Sequence, residues 1–515
     1  MQLRRAAVLG GGPGGLYTAR LLKLRHPSCE VVVYEQGPAD ATFGFGVGLA
    51  AGTQRKLEAA DPDSLRDLVA AGYRHDMTMQ VGRNTVRVHN DRLIGIARTE
   101  LLAVLQRHAE KAGVALEFGE RHDADDLDAD LVVAADGIHS ATRRQGAFGE
   151  HVEVGRGLYL WCAGEIAIPD AVFVPQPTEH GTFVTHAYPY SGGRSTFLIE
   201  TDEQTWRRAG FDATTEATPP EASDEVALRY LEQVFAEQLQ GRPLIGNRTR
   251  WLRFHTIRCD RWTDGRVALL GDAAHTAHFS IGSGTKLAME DAIELVAALD
   301  EEPDLAAAFG RYEAVRRPAV ERLQELARRS QLWWESFPSR THLPVERLMV
   351  AYMSRAGNVP LDRFAETAPD VVAGAVEAYA RESGHPPVGE AGGRVTDRVL
   401  AQPLRHGTVD ACRRTAAAPP GLVGITDVVT DPWSDDGDAV VERARAARAA
   451  GAPGFRFTGP GDRPAVLTRL DLAERVRMEV GGLIVVDAPA GLRDDLAAGL
   501  VSGRTDLVEL IEEQA

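Results

Sequence analysis

Over the first 150 residues, short continuous apolar runs (Ala6 to Leu9, Val31 to Tyr34, Leu131 to Ala135) are separated by stretches whose apolar positions repeat at helical spacing. Uninterrupted apolar strands between amphipathic helices predict a parallel, doubly wound sheet covered on both faces. From about residue 155 the period changes to two. Thr182-Phe183-Val184-Thr185-His186-Ala187-Tyr188 and Ser195-Thr196-Phe197-Leu198-Ile199-Glu200 alternate, predicting an antiparallel sheet with one covered face that could roof a cavity. The run Val267-Ala268-Leu269-Leu270 predicts another buried strand, followed by a glycine-rich turn. A helix follows, carrying Ala288, Ala292, Leu295 and Leu299 on one face. A second, arginine-rich helix is predicted over about Leu305 to Phe337. The glycine- and proline-rich stretch from Ser383 to Gly393 predicts a linker, and no internal repeat or heptad is found.

Composition narrows the class. The 515 residues exceed one ordinary core and predict two to four domains. With 44% apolar and 25% charged residues, and no apolar run of the roughly 20 residues needed for a membrane helix, the chain reads as globular. The start, Met1 to Leu9, runs directly into glycines and reads as a first strand, not a secretory leader. Cys29, Cys162, Cys259 and Cys412 have neither paired nor metal-like spacing, which fits reduced thiols in the cytoplasm. A net charge of −17 argues against non-specific nucleic-acid binding; a locally basic pocket for an anion and a homodimer both stay open.

The first strand ends in Gly10-Gly11-Gly12-Pro13-Gly14-Gly15, placing Gly10, Gly12 and Gly15 at the three glycine positions of a dinucleotide fingerprint. A pyrophosphate needs bare backbone at a helix N-terminus, where free N–H groups and the helix dipole favour negative charge. Glu35 closes the second strand at the distance usual for an acid on a ribose hydroxyl. These residues alone do not separate FAD from NAD. Two later strand ends carry Asp136-Gly137 with Ser140 and Arg143, and Gly271-Asp272-Ala273-Ala274-His275 with Gly282, Gly284, Glu290 and Asp291. No metal-ligand set, Ser-His-Asp arrangement or nucleophilic cysteine is visible in the sequence.

Together and in this order, the three motifs resemble those of the class A flavoprotein monooxygenases. Within that family the run from His275 to Ala292 resembles the branch acting on aryl-coenzyme A thioesters such as salicyloyl-CoA and anthraniloyl-CoA. Thr42-Phe43-Gly44-Phe45-Gly46-Val47, His186-Ala187-Tyr188 and Ser330-Gln331-Leu332-Trp333-Trp334-Glu335 add to it. The resemblance covers about residues 1 to 370. It also extends to a tryptophan hydroxylase of pigment biosynthesis, so cofactor is better defined than substrate. It implies an α/β fold: a Rossmann-like FAD-binding domain (about 1–150 and 250–372) with an inserted antiparallel-sheet substrate domain (about 151–250). FAD would be held by Gly10, Gly12, Pro13, Gly14, Gly15, Glu35, Gly46, Arg98, Asp136, Asp272, Gly282, Ser283, Gly284 and Thr285. NADH or NADPH would reduce it, O2 would be captured as a flavin C4a-hydroperoxide, and an electron-rich ring would be hydroxylated. His186, Tyr188 and His278 are the candidates for contacting the aromatic group or taking its proton. Arg248, Arg253, Arg316, Arg317, Arg328 and Arg329 are the cations available for a coenzyme A tail.

Beyond the linker (373–393), Arg394 to Leu404, Gly421-Leu422-Val423, Leu472 to Arg477 and Gly503 to Val508 resemble the two ends of an Old Yellow Enzyme barrel whose middle is missing. Some 120 residues cannot close a (β/α)8 barrel of about 250. The tail (394–515) is therefore expected to be a degenerate barrel remnant without FMN, in a structural or docking role. The competing readings are a hydroxylase of a free aromatic acid, a tryptophan-like amino acid or a polyketide; a flavin halogenase, whose tryptophan-rich signature is not found; and a non-catalytic flavoprotein scaffold.

Overall fold

A computed structural model describes residues 3–39, 44–90, 93–382, 393–406, 409–411, 414 and 418–511. Of the expected linker, residues 383–392 lie outside the described residues, as do Thr42, Phe43 and Cys412, whereas 373–382 belong to helix Pro369–Glu382. The chain divides into two compact units, Met1–Thr78 with Asn90–Glu335, and Met79–His89 with Ser336–Ala515.

The first unit is built on a six-stranded sheet in the order Thr263–Asp264, Val267–Leu269, Leu131–Ala134, Arg5–Leu9, Glu30–Glu35, Ala115–Phe118. All neighbours are parallel except the hairpin of the first two. The apolar runs read from the sequence are its central strands, and Val8, Val31, Val33, Leu131 and Val133 sit in its core. Helix Pro13–Arg25 packs on Gly284–Glu301. Their approach is close: a Cβ on Gly14 would lie 2.5 Å from Leu270 Cδ2 and 3.0 Å from Ala288 Cβ.

The period-two region forms an antiparallel sheet in the order Leu244–Ile245, Glu150–Gly164, Arg194–Thr201, Gly181–Ser191, Ala171–Thr178, with Leu252–Cys259 also pairing with Glu150–Gly164. Leu158, Leu160, Cys162, Phe183, Phe197 and Ile199 bury one face in a core shared with Phe211, Leu228, Leu231 and Phe235. Alternation therefore sends Tyr159, Trp161, His186, Tyr188, Leu198 and Glu200 to the other face.

In the second unit, strands Val423–Ile425, Gly454–Phe457, Leu483–Pro489 and Leu507–Ile511 form a parallel sheet in chain order. Helices Asp435–Ala449, Arg463–Glu479 and Arg493–Val501 intervene. This unit begins at Ser336, ahead of the boundary near 372 expected from the sequence. The reason is packing: helix Val345–Ser354 lies on Pro369–Glu382 and on Arg493–Val501, and Arg347 Nε donates to the Val501 carbonyl at 2.7 Å. Arg340 and Glu474, 1% and 3% exposed, form a two-pronged pair (Nε to Oε1 2.8 Å, Nη2 to Oε2 2.6 Å). Among the described residues, no helix is long and apolar enough to cross a membrane.

Candidate active site

The glycine turn between Leu9 and Pro13 is set by close backbone packing. Gly10 has φ +107°, and a Cβ there would fall 2.3 Å from the Ala135 carbonyl oxygen, beside Asp136. A Cβ on Gly15 would fall 2.1 Å from the Gly10 carbonyl oxygen. Gly12, the N-cap of helix Pro13–Arg25, has open space where its Cβ would be, so the helix N-terminus presents bare backbone. Glu35 stands at the adjacent strand end, its carboxylate accepting from Gly11 N at 2.7 Å and Gly37 N at 2.8 Å.

Asp136 mainly serves its own loop. Its Oδ2 accepts from Ala141 N (2.9 Å), Thr142 N and Thr142 Oγ1 (both 3.3 Å), while Oδ1 is buried with no protein partner. Arg143 ties this loop to the third motif, donating through Nη1 to the carbonyls of Asp272 (3.2 Å) and Ala273 (2.9 Å).

Asp272 lies in a one-turn helix, Gly271–Ala273, after strand Val267–Leu269. Its surface is exposed, yet the surrounding protein dehydrates it and raises its pKa against the opposing charges of His275 and Arg98. Arg98, at the start of helix Arg98–Ala112, shows the same combination: half-buried, its pKa lowered by dehydration against the pull of Asp272, its Nε sealed without a partner. Arg98 N donates to the Phe45 carbonyl (2.7 Å), holding strand Gly46–Leu49 alongside; a Cβ on Gly46 would strike Tyr190 at 2.7 Å. Helix Gly284–Glu301 starts from Ser283, whose hydroxyl is buried without a partner; Gly282 is left-handed (φ +62°), and Thr285 lies in the first turn. A long polar ligand with a pyrophosphate and a hydroxylated chain fits this donor set: bare helix N-termini, a dehydrated carboxylate, and unpartnered hydroxyl and guanidinium groups.

The turn bearing Asp272 is braced from beneath by a network that the sequence indicated only as an acidic pair. Asp291, fully buried, accepts from His275 Nε2 (2.7 Å), Gly271 N (3.1 Å) and Arg316 Nε (2.8 Å). Burial would raise its pKa, but the His275 and Arg316 charges hold it below the ordinary value. Arg316 reaches Glu290 as well (3.3 Å), which Lys56 also pairs at 2.8 Å. Arg316 is thus consumed inside the fold, which corrects its candidacy for a coenzyme A tail. Arg253, Arg317, Arg328 and Arg329 pair with Glu203, Glu313 and Glu325.

On the sheet face opposite the helix-covered core, Tyr159 is the cross-strand partner of Glu200, and His186 that of Phe173. The Tyr159 hydroxyl is pushed up to about 12 by burial and by the charge of Asp272, which links this face to the motif turn. Its ring packs edge-on against Phe279 (4.9 Å between centroids). His186, 8% exposed, lies among Phe173 (5.0 Å), Trp334 (4.0 Å) and Glu200. The Tyr188 hydroxyl donates to the Gly46 carbonyl at 2.7 Å, and burial pushes its pKa up to about 12, so in this structure it ties the sheet to the glycine strand. His278 caps the turn Phe279–Ile281 and meets Ser280 Oγ at 2.9 Å, with Phe254 against its edge. Tyr159, Phe173 and Glu200 were not singled out in the sequence. The two-residue alternation assigns Glu200 to the face of Leu198, but cross-strand register was needed to set it beside His186.

A profile of the FAD binding domain family matches residues 98–327. The chain is 44% identical over 340 residues to a salicyloyl-CoA 5-hydroxylase from Streptomyces sp, spanning 65% of this chain and 66% of that protein, just under two thirds of its length. It is 38% identical over 359 residues to a 3-hydroxy-4-methyl-anthranilyl-[aryl-carrier protein] 5-monooxygenase from Streptosporangium sibiricum (69% of this chain, 95% of that one). Identity to protodeoxyviolaceinate monooxygenase of Chromobacterium violaceum is 30% over 369 residues, 68% and 95% of the two chains. The tetrameric form of 2-methyl-3-hydroxypyridine-5-carboxylic acid oxygenase shares the fold, with TM-score 0.51 at 21% identity over 69% of this chain and 96% of that one. With three glycine and aspartate motifs converging on one dehydrated site and full-length relatives of matching chemistry, the chain belongs to the FAD-dependent aromatic monooxygenases and uses FAD as its cofactor.

Proposed function

We propose that this protein is an NAD(P)H- and O2-dependent hydroxylase of an aromatic ring carried as an acyl thioester, with salicyloyl-CoA as the reference substrate. The observation that carries the reading is the face Tyr159–Glu200–His186–Phe173, an aromatic-rich surface whose Tyr159 feels the charge of Asp272. Likeness to a salicyloyl-CoA hydroxylase and to a monooxygenase named for a carrier-bound anthranilyl group supports the thioester. The backbone at Gly10–Gly15, with Glu35, is suited to the pyrophosphate and ribose. Arg98, Asp272 and the segment Gly282–Thr285 are suited to the remainder of the cofactor. Bound FAD supplies electron transfer and O2 activation. The chain's residues orient the ring, keep water from the site and manage the substrate's proton. We assign the second unit a structural role: Arg469, on helix Arg463–Glu479, binds Asp487 Oδ1 at 2.8 Å and the carbonyls of Asp487 and Pro460, tying that helix to the strand ends.

The test is anaerobic reduction of the FAD-loaded enzyme by NADH or NADPH with salicyloyl-CoA, anthraniloyl-CoA or the free acids as effectors. In air, the product is then weighed. Acceleration by a thioester and a product heavier by one oxygen atom are expected. Acceleration by free acids alone would move the substrate to a free aromatic compound, and turnover with none would reject the aryl-thioester reading.

A further inference from the structure

We infer that Glu200 is a positioning residue that makes His186 the proton acceptor for a ring hydroxyl of the substrate. The inference rests on the aromatic-hydroxylase reading and adds to it which side chains handle the proton. His186 Nε2 lies 2.8 Å from Glu200 Oε2, and both groups are largely buried, their side chains 9% and 14% exposed. Neither atom has another partner, and the angle between them falls outside the hydrogen-bond range. Loose alignment of this kind is common before substrate binds and tightens in the complex.

A buried carboxylate on an aromatic surface is costly unless it is paired. Among the described residues no arginine or lysine reaches Glu200, so the imidazole is its one cation-forming neighbour. Shape supports the pairing. Phe173, directly across from His186, presents its edge, and Trp334 lies 4.0 Å away at a tilt, so the imidazole is held by rings on two sides. The position is informative too. Tyr159 pairs directly with Glu200 across the strands and is itself within the field of Asp272. The dyad therefore lies one side chain from the turn assigned to the flavin, on the same face of the sheet.

Once the contact aligns, His186 Nε2–H donates to Glu200 and Nδ1 is left as the acceptor. In the proposed step the substrate phenolic O–H bond breaks and an Nδ1–H bond forms. The electron pair stays on the substituent, where it feeds the ring, and Glu200 remains ionised and offsets the new imidazolium. No oxidant or reductant enters this step. The proton returns when the product is released.

The experiment uses the full FAD-loaded chain and reads two signals. The first needs no substrate: in 15N-histidine-labelled protein, a His186 Nε2–H proton slow to exchange with water is expected in the wild type, assigned by its loss in His186→Gln. It should also be lost in Glu200→Ala, while Glu200→Asp retains it in part. The second is a turnover cycle with the best effector found above. His186→Gln should lower kcat about 100-fold, within the range for acid–base catalysis, and Glu200→Ala about tenfold, with KM changed less than threefold. The double variant should be no slower than His186→Gln alone, because Glu200 acts through the histidine. An exchange-protected proton that survives Glu200→Ala would overturn the inference, as would losses that multiply in the double variant. If the wild type turns over none of the aromatics, the substrate reading fails, and the NMR signal alone decides whether the dyad exists.

Discussion

Replacing Arg316 by Met would remove the cation that neutralises two buried carboxylates under the Asp272 turn. Asp291 is fully buried and Glu290 is 5% exposed; the guanidinium contacts them at 2.8 and 3.3 Å. Removing one partner of a buried ion pair costs about 3–5 kcal/mol, because the remaining charge is stranded. Asp291 keeps His275 and the Gly271 N–H, and Glu290 keeps Lys56, so the lower end applies, about 3 kcal/mol. At roughly 2 °C per kcal/mol for a unit of this size, the melting temperature should fall about 6 °C. Thermal and urea unfolding of the FAD-free protein measure it, and flavin fluorescence measures the weakened FAD affinity. The pH response should change as well. Asp291 is held below its ordinary 3.8 in the folded state, so its contribution is present above that value and lost as pH falls through the folded one. Without Arg316, burial is opposed by His275 alone, the folded pKa rises, and acid destabilisation should begin at higher pH. The double variant Asp291→Asn/Arg316→Met, which strands no charge at position 291, should recover part of the loss. A single variant within 1 kcal/mol of wild type, with an unchanged acid limb, would refute the view that this network braces the turn.

Gly10→Ala would place a methyl 2.3 Å from the Ala135 carbonyl oxygen at φ +107°, so the purified protein should carry little flavin, read by its visible absorbance per chain. Tyr188→Phe removes the donor to the Gly46 carbonyl and should cost about 1–3 kcal/mol in unfolding while leaving turnover within a few-fold; a hundredfold loss of kcat would restore the tyrosine as a proton acceptor. Arg340→Met strands the buried Glu474 and should lower the stability of the second unit by about 3–5 kcal/mol, seen by calorimetry, with the first unit's FAD affinity unchanged.

The strands and the glycine fingerprint were legible because each is local. Ala6–Leu9 and Leu131–Ala134 are apolar without interruption because both faces of that sheet are covered, and Gly10 must be glycine because a neighbouring strand's carbonyl occupies the place of its side chain. The His275 turn was legible as a motif but its support was not. Arg316 lies 25 residues beyond Asp291 on another helix, and its repeated neighbours along that helix give it the look of a solvated arginine. Helical spacing does not report which turn faces a buried carboxylate, so Arg316 could not be told from the other arginines available for a coenzyme A tail.

The substrate face shows how far alternation reaches. A period of two assigned Phe183 and Phe197 to the helix-covered core, and by exclusion His186, Tyr188 and Glu200 to the opposite side. It could not separate the roles of the last three, because these depend on what faces them from elsewhere in the chain. Tyr188 meets a glycine carbonyl 142 residues away and becomes a strut. His186 meets a carboxylate from the next strand and two aromatic rings, a setting in which a histidine can exchange a proton. Both are polar residues in a buried aromatic setting; only the partner differs. A reading of function from such a sheet must therefore begin with register, since a shift of one residue would turn Glu200 into the core and leave His186 with no counter-charge.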